Sequence, residues 1–217
     1  MLDIGCSSGF LLRDLACSIP ESVLIGSDYV KGPLENLAAQ LPGIPLLQFD
    51  ITKCPLPENS VDVTVLLNVL EHVADDTGAM KQVRRILRPG GVAVIEVPAG
   101  PELYDIYDKQ LMHCRRYRMR DLLEVLEAVA LETVYRSFLG FFIYPPFWLV
   151  KKWNRRLLHA DRAVQRTQVQ KNIRQQIRNP LLHGVMRLEE ALRPHIAYPF
   201  GIRCLAVARK PKARSTD

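Results

Sequence analysis

The chain opens on a short apolar run, Met1-Leu2-Asp3-Ile4, closed by five small residues, Gly5-Cys6-Ser7-Ser8-Gly9. From residue 9 to 18 the apolar positions then take up helical spacing. This predicts a strand, a tight loop and a helix, and the alternation repeats along the chain. Apolar or β-branched runs at 23–28, 45–51, 61–67 and 92–98 read as further strands. Helical spacing recurs at 33–41, 76–88 and 118–130. Pro42-Gly43 and Arg88-Pro89-Gly90-Gly91 are the expected stops, the glycines permitting the reversal from helix to strand. Runs at 131–136 and 200–210 predict a sixth strand and a last one. Strands that are nearly all apolar, such as Val61-Asp62-Val63-Thr64-Val65-Leu66-Leu67, suit a parallel sheet covered on both faces.

In such a sheet, ligands bind beyond the carboxyl ends of the strands. Three strands of this chain end near acids. Asp3 stands beside the first turn, Asp28 lies 19 residues beyond Gly9, and Asp50 closes the third strand. A carboxylate offers two acceptor oxygens to the paired hydroxyls of a ribose, so Asp28 points to an adenosine ligand. Gly5 and Gly9 allow the backbone to turn sharply and approach a ligand. The dinucleotide fingerprint needs a third, middle glycine for a pyrophosphate, and here that position is Ser7. The loop therefore suits a ligand without phosphates.

Leu2-Asp3-Ile4-Gly5-Cys6-Ser7-Ser8-Gly9 resembles the first motif of class I S-adenosylmethionine (SAM)-dependent methyltransferases, of the type 11-like group. The common family form has glycine where this chain has Ser7, a replacement that suits a backbone with no positive φ there. Two more stretches carry the resemblance: Asn68-Val69-Leu70-Glu71-His72-Val73 after the fourth strand, and Leu87-Arg88-Pro89-Gly90-Gly91 before the fifth. It implies a Rossmann-like, seven-stranded, mostly parallel sheet with an antiparallel last strand beside the sixth. It implies SAM as cofactor, held by Asp3, Gly5, Cys6, Ser7, Gly9, Asp28, Tyr29, Asp50, Ile51 and Asn68. Asp50 would meet the adenine amino group, the next N–H the ring, and Asn68 the methionine part. The family usually carries one or two helices ahead of the first motif, and this chain begins directly on the strand.

A second group lies at the same edge, in the loop after the fifth strand: Tyr104, Tyr107, Asp108, His113, Arg115, Arg116 and Tyr117. One branch of these methyltransferases has D-x(4)-H-x-R-R-Y at this place. An imidazole titrates near neutrality, so His113 is the first candidate for a catalytic base and His72 the second. Tyr107, Arg115, Arg116 and Tyr117 are candidate acceptor contacts, the guanidinium groups for an anion. The alternative is structural: the loop caps the next helix and Arg116 pairs with an acid.

The net charge of +6 changes the picture only locally. Residues 151–178 hold nine Lys or Arg against Asp161, leaving 20 basic and 22 acidic residues elsewhere. This run belongs to about sixty residues, 137–197, that the common fold does not require, so the methyltransferase domain is expected at 1–136 and 198–210, with a disordered tail at 211–217. The insert starts with fourteen uncharged residues, 137–150. That is short of the roughly 20 a spanning helix needs, and Pro145-Pro146 are expected to break it. Tryptophan beside lysine and arginine suits an interfacial membrane contact; packing on the chain's own core or on a second copy is the alternative. Nucleic acid is disfavoured, because no aromatic residue follows Trp153 within the basic run.

Five scattered cysteines without a C-x-x-C pair argue against a metal site and for a reducing compartment. With no signal peptide, the expected location is cytoplasmic, peripheral at a membrane if the insert docks there. The reading is methyl transfer from SAM to a small or lipid-like acceptor. Two rivals stay open: a non-catalytic scaffold of the same fold, and an NAD-binding oxidoreductase.

Overall fold

The computed structural model describes residues 1–161, 163–165, 167–169, 180–192 and 195–212. A seven-stranded sheet carries the fold: β1 (Leu2–Ile4), β2 (Ile25–Asp28), β3 (Leu46–Gln48), β4 (Val61–Leu67), β5 (Leu87–Pro98), β6 (Glu132–Leu139) and β7 (Arg203–Arg209). The order across it is β3-β2-β1-β4-β5-β7-β6. The first five strands run parallel. β7 runs against β5: at one end Gly90 N–H donates to Lys210 O and Lys210 N–H to Gly91 O, and at the other Ala99 N–H donates to Ile202 O. The expected mixed sheet with a reversed last strand is thus present, and that strand slots between the fifth and the sixth.

Four helices follow the strands as predicted in kind: α1 (Phe10–Ser18), α2 (Lys31–Gln40), α3 (Asp76–Ile86) and, after an unpredicted short α4 (Ile106–Gln110) in the stretch read as a loop, α5 (Met119–Ala128). The insert adds α6 (Tyr144–Arg155) and α7 (Pro180–Leu192). Two compact units result. The first comprises 1–96, 122–135 and 206–217; the second comprises 97–121 and 136–205.

In the first unit, one hydrophobic cluster joins Leu12, Leu24, Leu34 and Leu37 with the thiol of Cys6. Met80 and Ile86 of α3 and Leu66 and Ile95 of the central strands are almost wholly buried as well. Three boundaries differ from expectation. Arg88-Pro89-Gly90-Gly91 is not a turn outside the sheet: β5 already starts at Leu87 and passes through it with a register shift against Val61–Val63. Gly90 sits at φ +84°, which permits the irregularity. β6 continues to Leu139, into the stretch read as insert.

The third difference concerns Pro145 and Pro146. They do not break a segment; they occupy the first turn of α6. There a missing N–H costs nothing, because the first helical N–H groups have no partner anyway. Within the second unit the insert is fastened by polar groups. Glu189 on α7 accepts from Gly140 N–H (2.6 Å) and Phe142 N–H (3.3 Å), and Gln165 donates to the carbonyls of Leu157, Leu158 and Ala160 just beyond α6. Phe141 stacks on Tyr198 and touches Phe200. Of the basic run, Arg162, Arg166, Lys171, Arg174 and Arg178 lie outside the described residues, as do residues 213–217 of the tail. No helix among the described residues is long and apolar enough to cross a membrane.

Candidate functional site

The first loop is a run of left-handed turns. Gly5, Ser7 and Gly9 have φ of 76°, 44° and 72°. At Gly5 a side chain would also collide, since a Cβ would lie 2.5 Å from Val69 Cγ2. Ser7 does adopt a positive φ, against the sequence expectation. Its strain is offset where its N–H donates to Asp28 Oδ2 at 2.9 Å. The N–H groups of Gly5 and Cys6 both donate to Ser27 O, which ties the loop to the end of β2. Cys6 offers its backbone here while its thiol is in the core, where burial pushes its pKa up to about 12.

Asp28 holds the loop from the other side. Its Oδ1 accepts from Val30 N–H at 2.9 Å. Each carboxylate oxygen therefore uses one lone pair on the backbone and keeps one for a ligand. Asp3 lies beneath, in β1, only 4% exposed. Burial raises its carboxyl pKa to about 6, and the charge of Asp28 adds to the shift. Asp50 caps a 3-10 turn at Ile51–Lys53, where Oδ1 accepts from the Thr52 N–H and hydroxyl, which holds its pKa below the usual range. Ile51 is buried, and as the first residue of the turn its N–H has no partner within it. Tyr29 is 72% exposed. Asn68 ends β4 with φ 56° and donates its N–H to Glu96 O.

Residues 2–95 match the family model of a methyltransferase domain. The match supports a class I methyltransferase family. Over 134 residues the chain is 31% identical to a probable S-adenosylmethionine-dependent methyltransferase of Mycolicibacterium smegmatis, covering 61% of this chain and 51% of that protein. It is 33% identical over 98 residues to a trans-aconitate 2-methyltransferase of Acidovorax, covering 45% of this chain and 38% of that one. The chain thus spans about half the length, or less, of these curated relatives. Among solved structures, a putative methyltransferase from Bacillus halodurans superposes with TM-score 0.63 at 15% identity, over 97% of this chain and 92% of its own. A putative methyltransferase of Haloferax volcanii, solved with its Trm112 activator, gives 0.65 at 17%, over 98% and 82%. These two likenesses establish the fold.

SAM is the cofactor of this family. The residues of the first unit fit the adenosine part of such a group: Asp28 keeps one lone pair on each oxygen, and Asp50 Oδ2 makes no bond within the turn that Oδ1 caps. The side chain of His72 is exposed at the end of a 3-10 turn spanning Leu70–His72, next to the fully buried Glu71.

The second unit carries a buried ionic cluster. Asp105 and Asp108 form a reciprocal cap at the start of α4. Lys151 Nζ reaches Asp105 Oδ1 at 2.6 Å and Asp108 Oδ2 at 3.0 Å, and Asn154 donates to Asp105 Oδ2 at 3.2 Å. Arg116 donates to both oxygens of Asp108 and to Ala99 O. His113 Nδ1 lies 2.9 Å from Asp108 Oδ1. Burial alone would raise the pKa of Asp108, but the bond from His113 and the charges of Arg116 and Lys151 outweigh it and hold it well below the usual range. An ionised carboxylate only accepts, so in the neutral ring Nδ1 carries the proton and Nε2 is the acceptor. Asp105 goes the other way: burial raises it, against the pull of Lys151.

This arrangement corrects part of the expected acceptor site. Arg116 is 6% exposed and committed to Asp108 and Ala99, the structural alternative for that residue, which makes it unsuited to holding an anionic acceptor. Tyr117 is 2% exposed, with its backbone bonded to Pro98 and Gly100. Tyr107 donates its hydroxyl to Val169 O and lies under Lys151. Arg115 is half-buried. Sequence reading missed Asp105, Lys151 and Asn154. The signals were there: Asp105 and Asp108 have the N-cap and N3 spacing, and residues 147, 151 and 154 share one helix face.

Proposed function

We propose that the protein is a SAM-dependent methyltransferase that acts on a small or lipid-like acceptor. The observation that carries this reading is the Asp28 carboxylate, fixed by the N–H groups of Ser7 and Val30 at the mouth of a left-handed loop within a class I methyltransferase domain. Asp28 binds the ribose hydroxyls. Asp50 accepts from the adenine amino group, and Ile51 N–H donates to the ring. The loop from Gly5 to Gly9, with Asp3 beneath it, Tyr29 beside Asp28, and Asn68 at the end of β4, completes the shell.

Bound SAM supplies an electrophilic methyl on a sulfonium centre. The protein's part is mostly to hold acceptor and methyl donor close and aligned. His113, oriented by Asp108, takes a proton from the acceptor where the acceptor carries one at neutral pH, and His72 is the second candidate. Tyr107 and Arg115 are the candidate acceptor contacts. The trans-aconitate relative is named for a small carboxylate acceptor, which supports a small molecule here.

The test uses SAM tritiated at the methyl group, with aqueous and organic extracts as acceptor pools. Label transferred to a small molecule, and reduced in His113→Gln, supports the reading. Binding of S-adenosylhomocysteine without any transfer supports the scaffold, and binding of NAD in its place supports the oxidoreductase.

A further inference from the structure

The helix α6 has its polar and apolar sides reversed. Its inward residues include Lys151 and Asn154, both buried on the carboxylates of Asp105 and Asp108. Its outward residues include Trp148, Leu149, Val150 and Trp153, which are 37%, 62%, 42% and 61% exposed. An exposed cluster of this kind marks a contact surface. Since a helix advances about 100° per residue, Leu149, Val150 and Trp153 share one arc, and Lys152 and Arg156 border it. The two cations lie over the two indoles, Lys152 Nζ 4.8 Å from the Trp148 centroid and Arg156 5.3 Å from that of Trp153.

The charge pattern chooses the occupant. α6 contains no acid, and the sequence as far as residue 178 has only Asp161 against its nine cations. A second copy packed across a two-fold axis would bring like cations together. A nucleic acid would satisfy Lys152 and Arg156 but leave Leu149 and Val150 without an apolar partner. A bilayer with anionic headgroups satisfies both: aliphatic groups at the acyl boundary, indoles at headgroup level, cations on phosphates. We propose that the outward face of α6, through Trp148, Leu149, Val150, Trp153, Lys152 and Arg156, docks the protein on the surface of an anionic lipid bilayer. The proposal is independent of the methyl-transfer reading, because its residues take no part in the loop around Asp28.

The chain contains two tryptophans, Trp148 and Trp153, and both lie on this face, so tryptophan fluorescence, excited selectively over the seven tyrosines, reports on it alone. The full chain is mixed at low salt with phosphatidylglycerol–phosphatidylcholine vesicles and with pure phosphatidylcholine vesicles. The expected result is a blue shift of emission and flotation with the anionic vesicles, both weakened by salt. Lys152→Glu is expected to lower partitioning about thirtyfold, because each charge contributes about 1 kcal/mol and the reversal counts twice. Leu149→Glu, whose melting temperature verifies folding, is expected to abolish flotation. No shift and no flotation at low salt overturns the proposal, as does flotation that Leu149→Glu leaves unchanged. A concentration-dependent dimer that Leu149→Glu dissociates, with no vesicle binding, assigns the face to a second copy and likewise overturns it.

Discussion

The loop at the end of β1 and the cluster around Asp108 are both polar sites in an α/β protein, yet they are held by opposite means. The loop is fixed by backbone: left-handed residues, N–H groups on Ser27 O, and N–H groups on Asp28. The cluster is fixed by side-chain charge, with Lys151 and Arg116 on Asp105 and Asp108. Their buried acids show the consequence. Asp3 is 4% exposed and Asp108 1% exposed, but burial lifts the first to about 6 while hydrogen bonds and cations overcome burial at the second and hold it low. Burial alone does not decide an acid's state; the charges facing it do. A site that keeps open lone pairs suits a ligand, and one that uses them internally suits a scaffold.

The largest test of this contrast removes the acid from the charged side. Asp108→Ala leaves Arg116 and Lys151 short of a buried partner and is expected to cost about 3–5 kcal/mol in urea unfolding. The pair of acids also predicts opposite pH dependence. Asp108 has a lowered folded pKa, so its contribution is complete above the unfolded value near 4 and is lost as pH falls below it. Asp3 has a raised one, so the folded state binds the extra proton between pH 3.8 and about 6, and stability declines as pH rises through that window. Asp3→Asn is expected to remove that decline, worth about 3 kcal/mol, when its urea midpoints are compared with those of the parent chain from pH 4 to 7.

Smaller effects probe the backbone side. Gly5→Ala combines a left-handed φ with a collision at Val69, for an expected loss of about 1–3 kcal/mol in thermal unfolding. Ser7→Gly relieves a left-handed serine at the expense of a looser unfolded chain, so its expected change is within about 1 kcal/mol and not destabilising. A marked loss at Ser7→Gly would mean that the serine side chain, and not its backbone, holds the loop.

The parallel half was legible because its strands are apolar runs, three of them ending near an acid, and burial on both faces leaves that pattern nowhere to hide. Asp28 could be found by spacing alone. The conformation of Ser7 could not, since the residue type at that position does not report φ. Pro145 and Pro146 read as breakers because proline looks the same at the first turn of a helix as in its interior, and the difference lies in which N–H groups were already orphaned. Lys151 read as part of a basic run suited to a membrane surface because its partners stand 46 and 43 residues upstream. Arg116 pairs with Asp108 only eight residues away, and its pairing with an acid was legible there as the structural alternative.

The most direct test of the central claim is calorimetric titration of the purified chain with S-adenosylhomocysteine, in parallel with Asp28→Asn, whose folding is verified by its melting temperature. The account predicts one site, with affinity reduced at least about tenfold in the variant, since a hydrogen bond to a charged acceptor is worth about 1.5–3 kcal/mol. Equal affinity in the folded variant, or no heat of binding with the folded parent chain, would contradict it.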